Sequence, residues 1–202
     1  MLRLGEASRL VFSEDADRPA DCQMGKIGRC GQVSYNSGRT AMQQTVITQS
    51  EAETEALGAA LGRLLRPGDV LALVGDLGAG KTCLARGVAR GLGIDEPVTS
   101  PTFILVAEYA TAAGFPLYHA DCYRLGQAAA EAQAIGLDEL LLDDGVAVVE
   151  WAERIEPLLP PDHLRITLIA LDDTRRELAF APHGPRAAEI TRRILNGELV
   201  NG

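Results

Sequence analysis

Two wholly apolar runs stand out in the chain, Val70 to Val74 and Val146 to Val149. Short apolar runs bounded by turn residues are typical of strands buried on both faces of a sheet. Pro67-Gly68 precedes the first run and a glycine-rich loop follows it, so turn residues bound both of its ends. The pattern therefore predicts two buried strands, the second of which ends in the acid Glu150.

The sequence Ser50-Glu51-Ala52-Glu53 predicts the start of a helix, because it fits a capping box in which Ser50 and Glu53 satisfy each other's backbone N–H groups. Four leucines follow at helical spacing on one face, namely Leu57, Leu61, Leu64 and Leu65. Pro67-Gly68 ends this helix. A second helix is predicted after the glycine-rich loop, with Gly93 as its cap.

Later segments continue this alternation of strands and helices. Residues 104–109 and 117–123 are β-rich runs joined by a turn-like segment, which predicts a hairpin. Residues 128–142 are rich in alanine and leucine and predict a helix that Gly136 interrupts.

The last third of the chain predicts two antiparallel strands, at 164–171 and 177–180, and a closing amphipathic helix at 186–195. In total the pattern predicts an α/β fold of three layers, with a mixed sheet of parallel and antiparallel strands.

The first 44 residues differ from the rest, since glycine, serine and charged residues dominate and no period of 2 or 3.6 is present. We expect residues 1–44 to form a flexible extension and residues 45–202 to form one domain. An alternative is that Met42 is the true initiator, because organised patterning begins soon after it.

The loop between the first apolar run and the second helix fits the pattern G-x-x-x-x-G-K-[ST]. Its residues are Gly75, Asp76, Leu77, Gly78, Ala79, Gly80, Lys81 and Thr82. Glycines let successive N–H groups turn towards an anion, and the helix start adds its positive dipole end. Lys81 is placed to reach the β- and γ-phosphates and the Thr82 hydroxyl to bind Mg²⁺, so the segment predicts a P-loop NTPase fold with a nucleotide site.

Hydrolysis would also need acids near the phosphates, and the sequence offers two. Glu150 ends an apolar strand, where a Walker-B acid belongs. Asp121 lies in a half-buried strand, so we expect it either to pair with Arg124 or to face the metal or the attacking water. The sequence leaves open which of the two acids positions that water.

Other residues near these motifs are weaker candidates. Ser100 and Thr102 lie in a proline-containing loop that could serve as a switch. His119 and Trp151 are more simply explained as core residues, although stacking of Trp151 on a partner or substrate stays open. His163 and His183 are expected in turns without a catalytic role.

Composition narrows the classes of function. The formal net charge of −9 argues against a broad nucleic-acid surface, so RNA contact is expected to be local or through a partner. The four cysteines have no paired zinc spacing, which fits free thiols in a reducing cytoplasm, and no apolar run is long enough to cross a membrane. The N-K-x-D and D-x-x-G motifs of guanine-specific proteins are absent from the sequence, which favours ATP.

Four blocks in order resemble the TsaE (YjeE) family, a group of bacterial P-loop ATPases of threonylcarbamoyladenosine synthesis on tRNA. They are the P-loop, Ser100-Pro101-Thr102-Phe103, His119-x-Asp121-x-Tyr123-Arg124-Leu125 and Glu150-Trp151. The resemblance implies that Lys81, Asp121 and Glu150 act in hydrolysis and that Thr82 and Glu150 hold Mg²⁺. It also implies that Thr54 and, more loosely, the pair Arg175-Arg176 lie near the nucleotide.

The same resemblance implies partners and a pathway. It implies that TsaD and TsaB hold the tRNA, and that ATP hydrolysis resets that assembly while it modifies the adenosine beside the anticodon of tRNAs reading codons that begin with A. Two other functions stay open on the residues alone, a small P-loop kinase and a nucleotide-dependent binding module without hydrolysis. The sequence does not give the oligomeric state.

Overall fold

A computed structural model describes residues 44–101, 105–125 and 128–197. Within these residues, seven strands form one sheet: β1 (Gln44–Thr48), β2 (Val70–Val74), β3 (Val106–Ala110), β4 (Pro116–Asp121), β5 (Val146–Glu150), β6 (His163–Ala170) and β7 (Arg176–His183). Their spatial order is β1-β7-β6-β2-β5-β4-β3. Strands β4, β5, β2 and β6 pair in parallel, whereas β1, β7 and β3 pair antiparallel to their neighbours, so the predicted mixed sheet is confirmed.

In the described part of the chain, five helices cover the two faces of the sheet: α1 (Glu51–Gly62), α2 (Lys81–Gly91), α3 (Ala128–Ala134), α4 (Leu137–Leu140) and α5 (Pro185–Leu195). A 3₁₀ helix, Ala152–Leu158, follows β5. The predicted break at Gly136 separates α3 from α4, with Gly136 in a left-handed conformation.

Two hydrophobic cores lie on opposite faces of the sheet, which confirms the three layers. Leu71 and Leu73 of β2 pack into the core beneath α1, α2 and α5. Val70 and Ala72, which alternate with them, pack into the core beneath α4 and the 3₁₀ helix. Because β2 is buried on both faces, its sequence contains no alternation of polar and apolar residues.

Helices α1 and α2 are in unusually close contact. A Cβ atom on Gly58 would lie 2.9 Å from the Cα of Gly87, and a Cβ on Gly87 would lie 2.9 Å from the Cα of Gly58. Gly62 and Gly91 repeat this relationship one turn later, again at 2.9 Å. The glycines therefore let two helix backbones touch, and this holds α2, which begins at Lys81, firmly against α1.

Some sequence predictions differ from the structure at the edges of elements. Strand β1 had no predicted counterpart, and its first residue, Gln44, was assigned to the extension; the rest of the predicted extension lies outside the described residues. Ser50 caps α1 by accepting from the N–H of Glu53 at 3.2 Å, as expected. The Glu53 carboxylate, however, accepts from the N–H of Gln49 at 2.8 Å, one residue earlier than in a capping box.

His163 and His183 were expected in turns, and that expectation is wrong. They are partners across β6 and β7, with ring centroids 4.3 Å apart and an interplanar angle of 8°. Both strands extend to these histidines although prolines lie nearby. The reason is that β6 and β7 contribute apolar residues to the core, such as Leu164 and Phe180, and this packing keeps the two strands paired. The two histidines lie at one end of the β6–β7 pair. The P-loop lies near the other end of β6, where the carbonyl of Leu168 is beside Gly75.

Candidate nucleotide site

The glycine-rich loop joins the carboxyl end of β2 to the first residue of α2. Gly80 occupies the N-cap position with φ 102°, a left-handed conformation that L side chains rarely adopt. Since Gly80 carries no side chain to cap the helix, the first N–H groups of α2 remain available to an anion. The loop thus has the form of a phosphate-binding turn, as its sequence predicted.

Lys81 is buried beneath this loop, with only 4% of its surface exposed. Its ammonium donates to the carbonyl oxygens of Gly75 at 2.6 Å and Asp76 at 2.9 Å. Burial lowers the pKa of Lys81, while the charge of Glu150 acts in the opposite direction. Carbonyl oxygens of the loop hold the cation in place, and an entering phosphate would offer it a charged acceptor instead.

Glu150 is the centre of a hydrogen-bonded group under the P-loop. The Thr82 hydroxyl donates to its Oε2 at 2.9 Å, and Nε2 of His119 lies 2.9 Å from its Oε1. Glu150 is 3% exposed and His119 is fully buried. A hydroxyl and a carboxylate side by side are the oxygen ligands that Mg²⁺ takes beside a bound phosphate.

Asp121 lies directly beside Glu150, because the two residues are partners in the parallel pairing of β4 and β5. Its Oδ2 accepts from the Ser100 hydroxyl, and its Oδ1 accepts from the N–H of Tyr123 at 2.9 Å. The proposed switch segment therefore contacts a predicted acid through Ser100. Its other candidate, Thr102, lies outside the described residues.

These groups open into a cavity of about 520 Å³. Thr54 of α1 lines it and is held by Thr48 of β1, with the two hydroxyl oxygens 2.7 Å apart. Lys81, Thr82, Ser100, Asp121 and Glu150 also contribute to the lining, together with Gly78, Gly80 and Leu77. Residues predicted from separate parts of the sequence thus meet in one concave site, the usual form of a small-molecule site.

Four residues of the P-loop have distinct positions. Gly75 and Asp76 contribute the carbonyl oxygens that hold Lys81, and Ala79 is buried at 1% exposure. Leu77, at the tip of the loop, is 78% exposed.

The loop between β6 and β7 brings Arg176 over the P-loop. Its Nη2 donates to the carbonyl of Gly78 at 3.4 Å, and it lines the cavity. Arg175, which the sequence analysis placed near the nucleotide, instead forms an ion pair with Asp172 at 2.6 Å. Arg176 is the first residue of β7 and lines the cavity, whereas Arg175 belongs to the preceding loop, where its side chain is held by Asp172.

Sequence reasoning left the role of Trp151 open and assigned none to Tyr123. Both line the cavity, and their ring centroids are 4.9 Å apart. Trp151 has φ 58°, a left-handed conformation that is uncommon outside glycine and often occurs at functional sites. Its ring lies 3.9 Å from the Lys81 ammonium. Its position directly after the candidate acid was the only signal in the sequence.

Glu51, Cys83, Asp173 and Thr174 also line the cavity, although no motif singled them out. The Cys83 thiol has a raised pKa because it is buried, and burial raises the pKa of Cys122 to about 12. Both cysteines are free, as expected, and at neutral pH they remain protonated and therefore poor nucleophiles. Within the described ranges, no helix combines the length and apolar character needed to cross a membrane.

The sheet order, the loop between β2 and α2, and the pairing of Thr82 with Glu150 define a protein of the P-loop NTPase fold. The family model described as "Threonylcarbamoyl adenosine biosynthesis protein TsaE" matches residues 48–178. The chain belongs to the TsaE family.

Similar proteins come from several bacteria. The chain is 44% identical over 139 residues to the Bacillus subtilis (strain 168) tRNA threonylcarbamoyladenosine biosynthesis protein TsaE, covering 69% of this chain and 85% of the relative. It is 43% identical over 135 residues to the Treponema pallidum (strain Nichols) protein of the same name, covering 67% and 98%. The crystal structure of Bacillus subtilis YdiB superposes with a TM-score of 0.67 at 36% identity, covering 80% of this chain and 99% of that one.

Proposed function

We propose that this chain binds ATP with Mg²⁺ and hydrolyses it, as the ATPase of tRNA threonylcarbamoyladenosine biosynthesis in the cytoplasm, working with TsaD and TsaB. The observation that carries the proposal is the pairing of Thr82 with Glu150 at 2.9 Å below an uncapped helix start. This arrangement joins an anion site to a pair of hard oxygen ligands, which is what Mg²⁺ bound to a nucleotide requires.

The residues of the P-loop would bind and orient the triphosphate. The N–H groups at the start of α2 face the anion, and the Lys81 ammonium exchanges its two carbonyl acceptors for phosphate oxygens. Arg176, which lies over Gly78, adds a second cation on the other side of the loop. Bound Mg²⁺ would supply neutralisation of charge on the phosphate oxygens, with Thr82 and Glu150 as the residues that hold it.

Asp121 is the acid we assign to the attacking water. Glu150 is assigned to Mg²⁺ together with Thr82, and its second carboxylate oxygen lies against the His119 ring. Asp121 lies beside Glu150 on the neighbouring strand, is 4% exposed and lines the cavity. Its contact with Ser100 connects the acid to the proposed switch segment, so a partner that orders that segment would also orient Asp121.

TsaD and TsaB are proposed as the partners because of the family to which the chain belongs, and they would hold the tRNA. The charge of the chain agrees with this division, since a formal net charge of −9 opposes direct binding to the tRNA backbone.

The proposal is tested with the purified chain, Mg²⁺ and ATP labelled on the γ-phosphate, with and without TsaB and TsaD. We expect ATP binding, weak phosphate release alone and faster release with the partners. Asp121→Asn should lower release by roughly 10²–10⁴-fold, the range for general acid–base groups, while ATP affinity stays within about threefold. Lys81→Ala should abolish binding.

Each alternative has its own outcome in this experiment. Absence of ATP binding by the wild type, or full hydrolysis by Lys81→Ala, would overturn the proposal. Transfer of label to an added acceptor instead of water would identify a kinase. Tight binding without release, in the presence of both partners, would identify a binding module.

A further inference from the structure

His119 has a fully buried imidazole that lies next to the candidate site, behind Glu150. It lies on β4 two residues before Asp121, so the two side chains share one face of the strand. Its Nε2 is 2.9 Å from Oε1 of Glu150, whose strand neighbours β4 in parallel. The contact joins two buried polar side chains on adjacent central strands of the sheet.

The direction of this hydrogen bond follows from the other partner of Glu150. The Thr82 hydroxyl donates to Oε2, and an ionised carboxylate offers only acceptors. Nε2 of His119 must therefore carry the proton that it shares with Oε1. Its Nδ1 is buried and has no hydrogen-bond partner among the described residues, which suits a lone pair better than a second N–H. The neutral ring with its proton on Nε2 satisfies both conditions.

We infer that His119 is a positioning residue for Glu150, and this inference rests on the proposed function. A glutamate side chain has three rotatable bonds, and an N–H fixed to Oε1 selects the orientation in which Oε2 faces Thr82. His119 contacts the acid and not the cavity, since it does not contribute to the lining. Its effect on the Mg²⁺ site is exerted through Glu150.

The alternative explanation is that His119 only fills space in the core. The two explanations differ in what they require at this position. A packing role requires volume, whereas a positioning role requires an N–H at the place of Nε2. Glutamine places an amide N–H near that point, while asparagine, one methylene shorter, places it nearer the position of Nδ1. His119→Gln and His119→Asn therefore form a matched pair with the same chemistry and different reach.

The test measures the affinity of a non-hydrolysable ATP analogue by calorimetry, with saturating Mg²⁺ and with EDTA, for the wild type and both variants. Mg²⁺ should raise the affinity of the wild type for the analogue. In His119→Asn this increase should be about 10–100-fold smaller, which is the range for residues that orient metal ligands. The affinity measured in EDTA should be the same in both proteins. His119→Gln should keep most of the gain. Urea midpoints show that the variants are folded, and His119→Leu replaces His119→Asn if the latter does not fold.

The outcomes separate this inference from the proposed function. A wild type whose analogue binding does not respond to Mg²⁺ would overturn the proposed function itself. A wild type that responds, with a folded His119→Asn or His119→Leu that responds equally, would overturn only the role of His119. Equal losses in folded His119→Gln and His119→Asn would also overturn it, because the N–H would then not be the feature that matters.

Discussion

The ammonium of Lys81 lies 3.9 Å from the centre of the Trp151 ring, close enough for a cation–π contact. The same ammonium is held by two backbone carbonyls of the P-loop. Trp151 is thus adjacent to the group that, under the proposed function, changes partners when a phosphate enters the loop.

This contact predicts a spectroscopic response to phosphate. Because Trp151 is the only tryptophan in the chain, its emission reports on its own surroundings alone. ATP should change the emission, since Lys81 turns from the ring and carbonyls to the phosphates, whereas adenosine without phosphates should not. Fluorescence titration with both compounds checks this. An equal response to adenosine would show that the base, and not Lys81, affects the ring.

Arg176, the first residue of β7, and its neighbour Arg175 in the preceding loop should have different effects on nucleotide binding. Arg176→Ala should weaken ATP binding about tenfold or more, because a hydrogen bond to a charged group contributes roughly 1.5–3 kcal/mol. Arg175→Ala is the matched control and should change affinity by less than about threefold, since Arg175 pairs with Asp172 on the exposed loop. Calorimetry of ATP binding compares the two variants. A larger loss of affinity in Arg175→Ala than in Arg176→Ala would show that Arg175, and not Arg176, contacts the nucleotide.

Gly87→Ala should destabilise the protein, although alanine ordinarily favours helices. The added methyl would meet the backbone of α1, with the Cα of Gly58 at 2.9 Å, and neither backbone can move without disturbing the core. Overpacking of this kind lowers the free energy of unfolding by about 1–3 kcal/mol. This exceeds the stabilisation that alanine gives over glycine within a helix. Urea denaturation measures the change. The control Ala56→Ser, on the exposed face of α1, should stay within about 0.5 kcal/mol of the wild type.

His163 should make the protein less stable in mild acid. Burial lowers its pKa in the folded state below the ordinary value of 6.5. The unfolded chain therefore binds the proton more readily, and the contribution of His163 is present above pH 6.5 and lost as the pH falls through the folded pKa. The change in unfolding free energy between pH 7.5 and 5.5 should be smaller in His163→Asn, which keeps a donor for the Pro160 carbonyl and does not titrate. Identical pH dependence in both proteins would contradict this assignment.

The sequence by itself determined the parts of the protein that depend on neighbouring residues. The P-loop could be identified because its anion-binding geometry is encoded in eight consecutive residues, from Gly75 to Thr82. The central strands β2 and β5 could be identified because burial on both faces requires continuous apolar runs. Local signals also placed the start of α1 at Ser50 and the break at Gly136.

Contacts between distant residues were decided only by the tertiary structure. Thr82 and His119 are 68 and 31 residues from Glu150, and the pairing of β5 with both β2 and β4 brings all three together. The contact of Gly58 with Gly87 depends on how α1 crosses α2, and which of two adjacent arginines faces the cavity depends on where β7 begins. Sequence patterns record local conformation and burial, whereas strand register and helix contact are set by the packing of the whole domain.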